Sequence, residues 1–280
     1  MSTFHSRSNS LPSKSHPLLD EIQDHLCQLR GSEVTSAKSI RSNLACLVNL
    51  HEGIKNLIQV PSIQQAISHY QCGNWIDEIL EGSLRLLDLC GFSRDVVCLI
   101  KESVQNLESC IRRNRVETSA AEDINSYVAS RKKINQMVRK KFKNMKSLNQ
   151  NLTPFLEKAE DLKAIVTMLK EMEAISSSVL KSALILVSAE KRTSKQRSWL
   201  LLSKFTQTSH VSHEMEQEID GGNMLYAWNV NVLQKGMGRT TKQNVLWKLK
   251  SCEMTIQDLE EGLESFFRSL VKTRVSLLML

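Results

Sequence analysis

The sequence predicts an all-α protein, a mainly antiparallel helical bundle with long helices, preceded by a disordered N-terminal tail. Three observations carry that prediction. Apolar residues return every three or four positions in one segment after another, which gathers them on one helical face. Gly31, Pro61, Gly73 and Gly91 punctuate those segments with short connectors, which suits antiparallel neighbours. Long stretches with the alternation of a β-strand are absent.

The elements follow in chain order. Residues 1–15 are polar, basic and Ser-rich, too poor in apolar surface to offset the entropy of ordering. His16-Pro17 opens a helix with Leu19, Ile22, Leu26 and Leu29 on one face, and Gly31 closes it. The next runs from about Glu33 to Gln59, with Ala37, Ile40, Leu44, Leu47, Ile54 and Ile58 on its seam and His51 as the one polar member. Pro61 stops that helix and starts a short one, Pro61–Tyr70. Trp75–Cys90 follows, ended by Gly91, and Ser93 is placed to cap a separate helix carrying Val97, Ile100, Val104, Leu107 and Ile111. Glu117 to about Leu148 repeats the pattern, and Thr153-Pro154 starts a helix reaching Ser188. Leu200–Phe205 adds a segment. From about Thr208 to Lys242 the glycines Gly221, Gly222, Gly236 and Gly238 predict a loop region with one helical piece, Met224–Leu233. The last helix is the clearest. Ile256, Leu259, Leu263, Phe266, Leu270, Thr273, Leu277 and Leu280 alternate by three and four, with Thr273 the polar exception among the first seven. Phe267 and Val271 widen that stripe, which favours packing in a bundle over a free two-stranded coiled coil.

The chain therefore reads as a tail over residues 1–15 and one helical domain over 16–280. With 280 residues and 41% apolar content it can bury a sizeable core. The seven cysteines are odd in number and form no CxxC pair, so reduced, mostly buried thiols are expected rather than a disulfide scaffold. The first 17 residues lack the apolar stretch of a secretory signal, and no run of 18 apolar residues could span a bilayer. A cytoplasmic place follows, with a membrane-peripheral or nuclear one as the alternative.

Charge is concentrated. From Arg112 to Lys146 there are eleven basic residues against Glu117, Glu122 and Asp123, so this block carries +8 of a chain whose total is +7. At the helical angle, Lys132, Arg139, Lys143 and Lys146 share one face. Such a strip suits an anionic membrane surface, an acidic protein or nucleic acid; the plain alternative is a solvated helix face. No nucleic-acid-binding module accompanies it, which argues against nucleic acid.

Other features are weaker. Arg7, Ser8, Ser10 and Pro12 spell R-S-x-S-x-P, a pattern that 14-3-3 proteins bind when the second serine is phosphorylated. His210 and His213 precede Glu214 without a metal-ligand pattern, and Gly236–Arg239 lacks the spacing of a phosphate loop. Glu253, Asp258, Glu260, Glu261 and Glu264 on the last helix form either a solvated face or an answer to the basic block. No catalytic residues, cofactor or metal are expected, and the chain is not expected to be an enzyme.

Four segments carry a resemblance: the opening MSTFHSRSNSLPSKSHP, Leu89–Asp95, Tyr127–Lys133 (YVASRKK) and Leu259–Leu278 (LEEGLESFFRSLVKTRVSLL). The chain resembles a plant-specific family of largely uncharacterised helical proteins, labelled Bypass-like. The resemblance implies a helical fold, no established catalytic chemistry and a role in root and shoot development. It transfers no catalytic residue. Gly221–Lys242 departs from the acidic linker usual before the last helix of that family.

Overall fold

A computed structural model describes residues 17–32, 36–69, 75–113, 117–145, 160–188 and 239–279. The described residues form seven helices: α1 Pro17–Gly31, α2 Ala37–Ile58, α3 Pro61–His69, α4 Trp75–Arg113, α5 Glu117–Asn144, α6 Glu160–Ser188 and α7 Arg239–Leu278. Local chemistry sets several ends. Pro17 and Pro61 stand at first positions, where no amide donor is needed. At the start of α2, Ser36 accepts from the Ser39 amide at 3.0 Å while Ser39 accepts from the Ser36 amide at 3.1 Å. This reciprocal cap satisfies two groups that the helix leaves open. The cap places the helix start at Ala37 rather than at about Glu33.

Two further expectations fail here. Gly91 and Ser93 do not divide a pair of helices; α4 runs unbroken through both for 39 residues. One glycine costs a helix about 1 kcal/mol, while Leu89, Cys90, Val96 and Val97 on either side are all buried in the core. Their shared burial outweighs the glycine. Ser93 sits mid-helix, its hydroxyl donating to the Leu89 carbonyl at 2.8 Å. The second failure lies at Arg239–Lys242, which is already helical rather than part of a loop. Val245, Leu249 and Cys252 are buried and continue the three–four spacing upstream of Ile256, so the last stripe is about three turns longer than its clearest part. Thr153-Pro154, Leu200–Phe205, Met224–Leu233 and the N-terminal tail lie outside the described residues.

Side-chain pairs give the directions. Lys101 meets Glu260, Gln105 meets Glu253 and Arg94 meets Glu264, so α4 and α7 are antiparallel. Val48 lies beside Ser269 and His51 beside Thr273, so α2 and α7 are parallel. α1 packs antiparallel on α2, with Cys46 beside His25 and Ser32 beside Asn43. α5 packs on α4 and α6 at the edge of the bundle. One continuous core results, with Ile22, Leu44, Leu47, Leu89, Val97, Val166, Leu263 and Phe266 all nearly or fully buried. Gly262 lets α7 approach α2 closely: a Cβ there would stand 3.1 Å from Leu44 Cδ1.

Candidate functional site

α5 divides its side chains sharply. Ile124, Ile134 and Val138 are buried, and Tyr127, Phe142 and Met145 pack against the core beside them. That apolar face is what holds α5 to α4 and α6. The opposite face carries Lys132, Lys133, Arg139, Lys140 and Lys143, all exposed. Lys132, Arg139 and Lys143 stand together, as their spacing predicts; Lys133 and Lys140 flank them, and Lys146 lies outside the described residues.

The other described cations of the block are occupied within the bundle, and Arg115 lies outside the described residues. The Arg131 guanidinium donates to the Val187 carbonyl at 2.7 Å, in the last turn of α6, where carbonyls have no partner from their own helix. The Lys141 ammonium stands 5.4 Å from the centroid of the Phe92 ring, over its face. Arg112 pairs with Glu108 one turn before it, and Arg113 donates to the Ser109 carbonyl at 3.2 Å. The five exposed cations have no carboxylate partner among the described residues.

The carboxylates of α7 do not answer the α5 face. Asp258 pairs with Arg41 of α2 at 2.8 Å, Glu260 with Lys101 of α4 at 2.5 Å, and Glu264 with Arg94 of α4 and Arg268. Glu253 accepts from Lys250 at 2.6 Å and from Gln105 of α4 at 2.9 Å, and these two bonds hold its carboxyl below the usual range. The acidic run thus joins α7 to α2 and α4, leaving the positive potential of α5 directed outward.

A second polar feature is buried. His51 Nε2 lies 3.1 Å from the Ser176 hydroxyl of α6, and its Nδ1 lies 3.3 Å from the Thr273 hydroxyl of α7. The polar exceptions of the α2 and α7 seams therefore meet. Thr273 has the Ser269 carbonyl at 3.0 Å as an acceptor for its own proton. One arrangement then satisfies every group: Thr273 donates to Ser269, Nδ1–H donates to Thr273, and Ser176 donates to Nε2. The Phe266 ring stands edge-on to the imidazole, 5.2 Å between centroids. Burial pushes the His51 pKa down from 6.5 to about 3, so the ring is neutral near pH 7. The cavity beside it is about 10 Å³, too small for a substrate.

The thiols divide unevenly. Cys46, Cys90 and Cys252 are buried, Cys27 and Cys98 are exposed, and all the described cysteines are free. Burial raises the Cys90 thiol to about 12 and the Cys252 thiol to about 11, leaving both protonated near neutrality. Among the described residues, no three His, Cys, Asp or Glu side chains are grouped to hold a metal, and no helix is long and apolar enough to cross a membrane. His210 and His213 and the tail residues Arg7, Ser8, Ser10 and Pro12 lie outside the described residues.

The family model described as Protein BPS1 matches residues 43–279, from early α2 to the end of α7. No curated protein and no solved structure matches the chain.

Proposed function

Because the chain belongs to the Protein BPS1 family, we propose that it is a non-enzymatic interaction protein acting in plant root and shoot development. It meets an acidic surface of a protein partner through the cationic face of α5. One observation carries the reading: Lys132, Lys133, Arg139, Lys140 and Lys143 project together with no carboxylate beside them among the described residues. Charge arranged this way steers association and selects partners more than it adds raw affinity.

The test is affinity capture from plant root and shoot tissue. The wild-type chain is compared with the Lys132→Glu/Arg139→Glu/Lys143→Glu variant, and with a control reversing Lys38, Lys163 and Lys248 elsewhere. Partners retained by the control and lost by the α5 variant support the reading. Equal loss from both variants sinks the assignment to α5.

A second reading places the same face on an anionic membrane. Val128 is exposed within a turn of Lys132, giving the strip an apolar contact beside its cations. Sedimentation with vesicles separates the two: salt-sensitive binding that requires anionic lipid favours the membrane, and no binding removes it. A third element of the proposal is the tail, in which phosphate on Ser10 would create the ligand of a 14-3-3 protein. A Ser10-phosphorylated peptide should bind a 14-3-3 protein more tightly than the unmodified peptide; equal affinities reject the switch.

A further inference from the structure

The solvent side of the α4–α7 pair carries an exposed apolar strip with oppositely charged edges. On α4, Leu84 is 40% exposed; on α7, Val271, Val275 and Leu278 are 39%, 45% and 59% exposed. The three α7 residues are spaced by four and then three, so they form one seam. Asp77 and Asp88 share the helical face of Leu84 and are exposed, with no ion-pair partner among the described residues. Arg94, in contrast, turns to Glu264 of α7, roughly 120° round the helix from Asp88. The acids therefore line the edge of the strip away from α7. On α7, Arg274 reaches back to the Leu80 carbonyl and the Ser83 hydroxyl of α4. Lys272 and Arg268, the latter bonded to Glu264 at 2.9 Å, point roughly 160° and 120° away from it and line the opposite edge.

We propose that this strip binds a second copy of the chain, in a parallel two-fold dimer. Symmetry and charge select that occupant. A two-fold axis parallel to the helices sets the acidic edge of each copy against the cationic edge of the other. An axis across the helices would oppose acid to acid and cation to cation, at a cost. An anionic membrane would meet Asp77 and Asp88 as well as Arg268 and Lys272, so the strip suits it poorly. The parallel axis also keeps residues at their own level along the bundle. Arg94 lies level with Glu264 and Ser83 with Arg274, which puts Asp88 about level with Arg268. Asp88 of one copy then faces Lys272 of the other, beside the Arg268–Glu264 pair, while the valines and leucines close the centre, as charged flanks do beside an apolar helical seam.

The experiment is sedimentation equilibrium of the full chain over a range of concentrations. The expected result is reversible growth from monomer to dimer mass. Asp88→Lys and Lys272→Glu, each opposing like charges, should weaken the dimer by about tenfold. Combining them restores opposite charges across the axis and should return the dissociation constant to near wild type. Val275→Asp should leave a monomer with unchanged far-ultraviolet circular dichroism. Three outcomes overturn the proposal: a wild-type monomer at every soluble concentration, a dimer indifferent to all three single changes, or a double variant weaker than either charge single. Binding to anionic vesicles that Lys272→Glu abolishes and Asp88→Lys strengthens, without dimerisation, would assign the strip to lipid instead.

Discussion

His51 in the core and the cationic face of α5 are both polar features in a largely apolar pattern, and they resolve in opposite ways. His51 is neutral, fully buried and bonded on both ring nitrogens to side chains of other helices. The five α5 cations are charged, exposed and unanswered by any described carboxylate. A buried polar group persists only when it is satisfied, because an orphaned one costs about 1–3 kcal/mol. An exposed charge carries no such demand and contributes little to stability. The difference separates what the bundle needs to stand from what it offers to a partner.

The sharpest strain on that comparison comes from the core. Phe266 is fully buried against His51, so Phe266→Ala should destabilise by about 3–5 kcal/mol in urea unfolding. A smaller loss would mean that the joint around His51 is loosely packed. Next is His51→Leu, which takes the imidazole acceptor from the buried Ser176 hydroxyl while Thr273 keeps the Ser269 carbonyl, and should cost about 1–3 kcal/mol. It should also change the pH dependence. The unfolded chain takes a proton on this histidine below about pH 6.5, while the folded chain refuses it down to about pH 3. Wild-type stability therefore falls as pH drops through that window, by up to about 1.4 kcal/mol per pH unit from this group. That part of the slope should be missing from His51→Leu; parallel slopes would show that the imidazole is solvated.

On the surface the expected effects shrink. Reversing Lys132, Arg139 and Lys143 should cost at most about 1 kcal/mol, mainly because Glu at position 143 opposes the negative end of the helix dipole. The smallest effect reverses sign. Nothing lies within 4 Å of a Cβ at Gly91, mid-way along α4. Gly91→Ala should therefore raise stability by about 0.5–1 kcal/mol in thermal unfolding. Destabilisation there would revive a break in the helix at Gly91.

The sequence displayed the pieces of both features but not their partners. His51 and Thr273 were each visible as the odd polar member of an apolar series, yet 222 positions separate them. Their meeting depends on α2 and α7 lying parallel, which local spacing does not encode. Ser176 stands in a run of three serines, and only packing picks it out. The α5 face was legible because helical spacing alone gathers Lys132, Arg139 and Lys143. The duties of Arg131 and Lys141 were not, since each depends on where another helix lies. Gly91 misled because a local breaker signal was weighed without the burial on either side of it.

The most direct trial of the division between standing and binding is one preparation of the Lys132→Glu/Arg139→Glu/Lys143→Glu chain, measured twice. Its melting temperature should stay within about 4 °C of wild type, while tissue partners held by the wild-type chain and by the distant charge-reversed control disappear. A chain that melts far earlier, or one that keeps those partners, would contradict the account.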